Sequence, residues 1–269
     1  MNRWKKRWGK GLKEQLKIVA KGFVTAFSTY SRIPMPVISW EQENLRYALC
    51  FFPWVGAVVG VGIWCFWVAA RKLELGVVCT SLMGAAIPLF ITGGFHLDGF
   101  MDAMDAFCSC GERERKLEIL KDAHIGAFSV IMTLLCGMVY VSAFSEIRGR
   151  EDMAVFGCGF VLARTLSGLS LLYLPGVGKN GLLAAFAGAA DKSLVRAVLW
   201  GYLALCVGVM FYIKPVTGGL VLAAAAGSFW YYRRRSLREL GGITGDMAGY
   251  FVVLCETAMA VAAAVGSRL

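Results

Sequence analysis

The sequence predicts an all-α, polytopic integral membrane protein: a helical bundle of about seven transmembrane helices, preceded by an N-terminal interfacial amphipathic helix. Three observations support this prediction. Hydrophobic residues make up 58% of the 269 positions, whereas soluble domains hold about 45–50% apolar residues. Long apolar segments recur along the chain, and Lys and Arg are concentrated between alternate segments. An aqueous solvent alone does not accommodate so much apolar surface, so the bundle needs a lipid bilayer.

Each apolar segment has about 17 to 24 residues, enough for a helix to cross a hydrocarbon core roughly 30 Å thick. The segments lie near residues 47–70, 75–95, 126–145, 153–174, 197–213, 216–232 and 247–265. Lys214 and Pro215 alone separate the fifth segment from the sixth, which predicts a tight helical hairpin there. Gly and Ala are abundant in the segments, as close helix packing in lipid requires.

The first apolar segment is preceded by an amphipathic stretch at 4–23. One side carries Trp4, Trp8, Leu12, Leu16, Val19 and Phe23, and the other carries Lys6, Lys10, Lys13, Lys17 and Lys21. A cationic face opposite a Trp/Leu/Phe face is typical of a helix that lies in the membrane interface. We assign residues 1–30 to this interfacial region. No repeat or linker marks a second domain, so 1–269 is predicted to be a single membrane-embedded domain.

The net charge of +10 is explained by topology and an anionic membrane surface, and we expect no nucleic-acid partner. With the N-terminus inside, the segments 1–46, 96–124, 175–196 and 233–246 face the cytoplasm and carry 21 of the 28 Lys and Arg residues. The outer connections carry 6. The positive-inside rule therefore predicts a cytoplasmic N-terminus. The crowded Lys and Arg before residue 22 exclude a cleavable signal peptide.

An acidic cluster follows the second apolar segment. Asp98, Asp102 and Asp105 are spaced i, i+4, i+7, so on a helix they project from one face. Carboxylates stacked so closely repel each other, and a divalent cation relieves that repulsion. Oxygen ligands suit Mg²⁺ or Mn²⁺, and Mg²⁺ commonly uses one or two carboxylates together with substrate phosphate oxygens. The residues between the aspartates are apolar, which argues against a solvated acidic loop.

Polar residues near this cluster are further candidates. His96 precedes it and is a candidate general base, ligand or phosphate contact. Lys121, in the basic stretch that follows, is a candidate for binding a polyphosphate and neutralising its charge. A solvated surface helix also explains this stretch. Asp122 and His124 stand just before a new span and close to the membrane face. We expect the site to include them.

A second polar motif, at 240–246, lies far away in sequence but on the same predicted side. We expect the backbone N–H groups of Gly241 and Gly242 to be open to an anion, next to Thr244. Asp246 adds a carboxylate at the start of the last span, and we expect it to share one site with the first cluster.

Two ionisable residues, Arg164 and Glu256, lie inside apolar spans, where charges face the bundle interior with a partner. Arg164 is a candidate phosphate contact. For Glu256, orienting a ligand and pairing with a cation are both open.

Taken together, the motifs are similar to those of the cobalamin synthase family, the adenosylcobinamide-GDP ribazoletransferases. The resemblance runs from Phe27 to Ala258, in the order that the family has. The matching stretches are Ser31–Pro36, Phe52–Gly60, Thr92–Gly99 with Asp102 and Asp105, Leu117–Phe128, and Leu240–Asp246. The chain departs from the family pattern at Met101, Met104, 107–110 and Ser129, none of which is an acidic position.

The resemblance implies a Mg²⁺-dependent enzyme in the cytoplasmic membrane of a prokaryote, with its active site on the cytoplasmic side. It implies transfer of the phosphate-bearing half of adenosylcobinamide-GDP to α-ribazole or α-ribazole 5′-phosphate, in the late steps of cobalamin synthesis. The implied metal ligands are Asp98, Asp102 and Asp105, with Asp122 and Asp246 completing the site or binding a second ion. The implied phosphate contacts are Arg32, Lys121 and Arg164. Assembly with copies of the chain or with other corrinoid-pathway enzymes is open.

Two other classes of protein also place carboxylates near membrane spans. A CDP-alcohol phosphatidyltransferase has a motif that also starts Asp-Gly, but that motif normally ends Gly-x₃-Asp-x₃-Asp, and this spacing does not occur here. A cation transporter predicts acidic residues near the bilayer midplane, whereas these cluster at one face beside Lys and Arg.

Overall fold

The structure, a computed structural model, describes residues 3–39, 41–122, 124–177 and 181–269, apart from the side chains of 3–10, 12 and 13. These residues form helices and no strand, and one parallel bridge pairs Gly176 with Ile243. The helices are α1 (Arg3–Tyr30), α2 (Gln42–Leu45), α3 (Ala48–Lys72), α4 (Val77–Thr92), α5 (Phe95–Cys108), α6 (Arg113–Ile119), α7 (Ala127–Ser145), α8 (Arg150–Tyr173), α9 (Leu182–Ala189), α10 (Lys192–Ile213), α11 (Pro215–Glu239) and α12 (Gly245–Gly266). The predicted all-α bundle is confirmed.

Within the described residues, five helices are long and apolar enough to cross a membrane: α3, α7, α8, α10 and α12. The pair α4 and α5, bent by 97° at its break, makes a sixth if it is one span. The 25-residue α11 matches the predicted segment at 216–232 but is less apolar, since it holds Thr, Ser and three glycines and ends in four arginines. The prediction of a polytopic bundle is therefore confirmed, and the count of about seven spans stays a prediction.

The helix connections fall into two groups, at opposite ends of the bundle. At one end, which we call the site end, the loop after α8 pairs with the α11–α12 loop through Val177 N and Ile243 O, and Lys116 of α6 forms an ion pair with Glu239 of α11 (3.0 Å). At the opposite end, Lys214 joins Asp152 (2.9 Å), and Glu146 joins Arg268. The segments that the charge pattern places on one side thus meet at one end.

The core is centred on α8, which packs against α3, α10 and α12. Gly56 and Gly60 of α3 lie directly against the α8 backbone at Phe160 and Gly157, where any Cβ would collide with a carbonyl group. Small residues spaced by four let two helices in lipid approach closely. This contact fixes α3 and α8 as the rigid centre of the bundle.

Helix α1 continues to Tyr30, beyond the amphipathic stretch. Its last turns bury Ala26, Phe27 and Tyr30 against α3, so this part belongs to the core and not to the interface. Further back, Leu16 remains 59% exposed. The side chains of Trp4, Trp8, Leu12, Lys6, Lys10 and Lys13 lie outside the described side chains. The interfacial position of this helix stays a prediction.

Candidate functional site

The candidate site begins at a sharp bend between α4 and α5. Gly93 and Gly94 both have positive φ angles, +66° and +79°, a region that side chains with a Cβ rarely adopt. The two glycines let the chain turn by 97° from the apolar α4 into α5. The Arg32 side chain lies over Gly93, so close that a Cβ there would be 2.6 Å from Nε. The bend thus brings Arg32 to the start of α5.

Helix α5 has one acidic face and one buried apolar face. Phe100, Ala103, Met104 and Phe107 are buried, whereas the three aspartates are exposed or half-buried. The segment predicted as an inner loop is thus largely a helix packed against α7 and α12. The i, i+4, i+7 geometry of Asp98, Asp102 and Asp105 is present as predicted.

Helix α12 brings Asp246 to this face. A Cβ on Gly99 would lie 2.9 Å from the Cα atom of Asp246, and a Cβ on Gly249 would lie 2.9 Å from the carbonyl oxygen of His96. The two glycines therefore allow α5 and α12 to touch through their backbones. Residues about 150 positions apart therefore lie side by side, and a functional site shared by Asp246 and the α5 aspartates stays a prediction.

The carboxylates are close enough to act on each other. Asp102 interacts electrostatically with Asp246, Asp98 and Asp105. Within the described part of the chain, no Lys or Arg forms an ion pair with Asp98, Asp102 or Asp246. Like charges left without a cation are unfavourable, and a bound cation removes the repulsion.

Asp105 differs from the other aspartates because its carboxylate is already engaged. Its two oxygens accept hydrogen bonds from the backbone N–H groups of Gly126 (2.6 Å) and Ser129 (2.9 Å). These donors belong to the N-terminus of α7, which lacks intrahelical partners. Asp105 therefore acts as a cap supplied from another helix, and ties α5 to α7.

The donor set fits a hard divalent cation that is shared with substrate. Among the described residues, no group of three or more His, Cys, Asp or Glu side chains is arranged to hold a metal ion. Mg²⁺ commonly takes one or two carboxylates and completes its shell with water and phosphate oxygens. Asp102 and Asp246, which have no cationic partner among the described residues, satisfy that smaller requirement.

His96 lies on the other side of α5, because two residues along a helix turn the side chain by about 200°. It is 5% exposed, and its ring packs beside the contacting rings of Tyr30 (centroids 6.1 Å from His96) and Phe52 (5.7 Å). Its Nε2 atom is buried without a hydrogen-bond partner. This placement separates the imidazole from the acidic face and gives it a packing role.

Arg164 and Glu256 form a buried ion pair, with Nη1 and Oε1 2.6 Å apart. Arg164 is 1% exposed, and Nη1 also donates to the carbonyl of Phe160. The pair joins α8 to α12 inside the bundle. Of the two roles left open for Glu256, the structure shows pairing with a cation. Because the Arg164 guanidinium is buried, the structure does not support its predicted contact with a phosphate.

The loop at 240–244 corrects one prediction. The N–H groups of Gly241 and Gly242 are not open to an anion, because they donate to the carbonyls of Leu237 and Ser236 and so end α11. Gly241 has the positive φ (+70°) of a helix C-cap. Thr244 caps α12 by accepting from Met247 N (3.2 Å). The motif positions Asp246 through these two helix ends.

Asp122 and Lys121 are exposed at the end of α6. The Asp122 carboxylate accepts hydrogen bonds from the side chain (2.6 Å) and backbone (3.0 Å) of His124, which hold its pKa below the ordinary value. Lys121 forms no ion pair with another described residue. The structure shows no contact that joins either residue to the carboxylates of α5 and α12.

A cavity of about 510 Å³ adjoins the acidic face, and we call it the Arg32 cavity. Its lining residues include Thr29, Arg32, Gly93 and Asp98. It places a guanidinium and a carboxylate at one opening at the site end. The guanidinium can bind an anionic ligand, and the carboxylate can bind a cation.

A second cavity lies between α4, α7 and α12, on a side of the bundle where Leu82, Leu134 and Met138 are exposed, and sequence analysis did not predict it. It has a volume of about 650 Å³, and its lining includes Thr133, Tyr140 and Glu256. The only signal for it in the sequence is that polar Thr and Tyr residues recur inside the apolar span at 126–145.

The fold and the site define a class: a polytopic helical membrane protein with a carboxylate-rich site at one end of its bundle. A model of the family described as cobalamin-5-phosphate synthase matches residues 22–264. The chain belongs to this family, and so to the proteins of cobalamin synthesis.

Curated relatives agree with the family. The chain is 38% identical over 231 residues to a protein of Lachnoclostridium phytofermentans named adenosylcobinamide-GDP ribazoletransferase, covering 86% of this chain and 88% of the relative. Proteins with the same name from Clostridium perfringens (28% identity, 90% and 96% covered) and Ralstonia nicotianae (32%, 87% and 91%) are also similar. No solved structure matches the chain.

Proposed function

We propose that this protein joins adenosylcobinamide-GDP to α-ribazole, or to α-ribazole 5′-phosphate, with release of GMP. The products are adenosylcobalamin or its 5′-phosphate. Family membership and the names of the relatives support the reaction class. The observation that carries the proposal in the structure is the meeting of the acidic face of α5 with Asp246 of α12, beside the Arg32 cavity.

Asp102 and Asp246 would hold Mg²⁺, the cation that the reaction class and the donor chemistry favour. An ion held by these carboxylates would supply positive charge for the pyrophosphate and for the departing GMP. Asp105 remains a helix cap in this proposal, because both of its carboxylate oxygens accept backbone hydrogen bonds. Asp122 stays a candidate ligand for a second ion.

The chain's own cations would bind the pyrophosphate. Arg32 lies at the cavity that also contains Asp98, and a guanidinium matches the geometry of phosphate oxygens. Lys121 is exposed and is the second candidate contact. Arg164 is committed to Glu256 in this structure, so we assign it the positioning of α8 against α12.

In the transfer itself, a hydroxyl of the acceptor attacks the phosphorus that carries adenosylcobinamide. The new P–O bond forms as the bond to the GMP oxygen breaks, and the hydroxyl proton passes to a carboxylate of the site. Asp98 is the most exposed of the three carboxylates, so we assign it this role. His96 is buried on the other side of α5 and does not face the reacting groups.

The test is product analysis with purified protein, adenosylcobinamide-GDP, α-ribazole and Mg²⁺. We expect cobalamin and GMP in equal amounts, and loss of both when Mg²⁺ is chelated. Asp102→Asn and Asp246→Asn should each lower kcat/KM by orders of magnitude, and the double variant should be little worse than either, since residues of one unit are not additive. Absence of product from the unmodified protein would reject the proposed reaction, and fully additive losses would reject the shared site.

A further inference from the structure

The second cavity, which we call the Glu256 cavity, has no role in the proposal above. It lies between α4, α7 and α12 and has a volume of about 650 Å³. Its walls are mostly apolar, with Leu82 and Leu89 on one side and Val253 on another. Pockets for small organic molecules commonly have about 300–1,000 Å³ and mostly apolar walls with a few polar groups. The Glu256 cavity has the size and composition of such a pocket.

Its polar groups indicate a ligand with hydrogen-bonding capacity. The hydroxyl groups of Thr133 and Tyr140 are buried and have no hydrogen-bond partner, and the Glu256 side chain, itself 10% exposed, lines the same space. Burying a hydroxyl group without a hydrogen-bond partner is unfavourable. A lipid acyl chain would leave these hydroxyls unsatisfied, whereas a ligand with a polar atom would pair with one of them.

The cavity adjoins the reaction site. Leu97, the neighbour of Asp98, lines both the Glu256 cavity and the Arg32 cavity. Along α7, Thr133 lies about 10 Å closer to the site end than Tyr140, at 1.5 Å per residue. A ligand of nucleoside length can therefore reach from the acidic face to Thr133, with its far end deeper in the bundle.

Among the groups of the two proposed substrates, one matches this space. Guanine carries polar groups on most of its edges, and the corrin ring with its amide side chains is too large. The base of α-ribazole is a dimethylbenzimidazole, a flat apolar bicycle with one unsubstituted ring nitrogen close to the ribose. We propose that the Glu256 cavity binds this base, with the Thr133 hydroxyl donating to the ring nitrogen and the methyl groups pointing deeper. This inference rests on the proposed function.

The first test fills the cavity. Gly137 lines it, and a Cβ added there meets nothing within 4 Å, so Gly137→Leu starts a larger side chain from an open position of the cavity wall. Gly208 of α10 is the matched control, because its Cβ would also meet nothing and it does not line the cavity. We expect Gly137→Leu to raise the KM for α-ribazole at least tenfold and to leave the KM for adenosylcobinamide-GDP unchanged. Gly208→Leu should change neither constant.

The second test examines the hydroxyl and does not depend on filling the space. Thr133→Val should lower kcat/KM about 5- to 50-fold for α-ribazole. It should have no effect for the corresponding dimethylindole riboside, in which C–H replaces the ring nitrogen. An unchanged KM for α-ribazole in Gly137→Leu, or equal losses for both nucleosides in Thr133→Val, would overturn the base site. A Gly137→Leu effect that changed with the acyl length of the lipid, and equally for both substrates, would overturn it in favour of a lipid site.

The two proposals fail separately. If the unmodified protein forms no cobalamin, the proposed function is wrong, and the base site falls with it. If the unmodified protein forms cobalamin and the KM for α-ribazole is the same in Gly137→Leu and Gly208→Leu, only the base site is wrong.

Discussion

At the scale of single residues, the three aspartates of α5 look alike in the sequence and differ in the structure. Asp105 is held by two backbone N–H groups of α7, whereas Asp102 has like charges around it and no cationic partner among the described residues. The same side chain therefore stabilises the fold at one position and costs stability at the other. Their variants should differ accordingly.

We expect Asp105→Ala to lower the free energy of unfolding by about 0.5–2 kcal/mol, the usual cost of losing a helix cap. Asp102→Ala removes a repelled carboxylate, so its thermal stability should equal or exceed that of the unmodified protein while turnover falls by orders of magnitude. Thermal unfolding in detergent, measured beside turnover, separates the two effects. Equal stability of the two variants would contradict the capping role.

His96 provides a second contrast at this scale. Loss of a general base commonly costs about 10²–10⁴-fold in rate. Because the buried ring packs in an aromatic cluster with Tyr30 and Phe52, we expect His96→Phe to keep kcat within about tenfold of the unmodified protein and to keep its thermal stability. His96→Ala should be less stable, since it leaves a cavity. A thousandfold loss of kcat in stably folded His96→Phe would show that the imidazole takes part in catalysis.

At the scale of helices, the site depends on how closely α5 and α12 approach. Gly99 lies against the backbone of Asp246, where a Cβ would be 2.8 Å from its carbonyl oxygen. A methyl group at this position would contact backbone atoms, which cannot move aside as a flexible side chain can. The two helices must then separate, which moves Asp246 away from Asp102.

Gly99→Ala should therefore lower both turnover and the apparent affinity for Mg²⁺. Overpacking of this kind commonly costs about 1–3 kcal/mol of stability. Gly201→Ala on α10 is the matched control, because its Cβ meets nothing within 4 Å. Turnover measured across a Mg²⁺ titration gives the comparison. Identical titrations for the two variants would show that close contact of α5 and α12 is not needed to form the site.

At the scale of the whole molecule, the two ends of the bundle should face opposite sides of the membrane. The site end gathers the loops that carry most of the Lys and Arg residues, so we expect it to face the cytoplasm. Glu114 is exposed at the site end, and Glu74 is exposed in the α3–α4 connection at the opposite end. In a background without the exposed Cys65, Cys79 and Cys110, Cys introduced at these positions reports the orientation.

A membrane-impermeant thiol reagent added to intact cells should label Glu74→Cys and leave Glu114→Cys unlabelled until the cells are opened. The reverse pattern would invert the orientation, and labelling of both from outside would reject the separation of the two ends.

The sequence by itself determined the membrane class, the approximate positions of the long helices and the grouping of loops into two ends. Each of these follows from local composition, because lipid requires long apolar helices and charge between them. It also determined the acidic face of α5, since the spacing of Asp98, Asp102 and Asp105 matches the helical period.

Only the tertiary structure decided which of those residues face a site. His96 and Asp98 are two positions apart, yet α5 packs so that one is in the core and the other is exposed. Gly241 and Gly242 have the composition of an anion-binding loop, but their N–H groups end α11. Asp105 caps a helix that starts about 20 residues later, and Arg164 finds its partner Glu256 on another span. The sequence supplies the chemistry of each side chain, but its partners are set by contacts between helices, which no local pattern records.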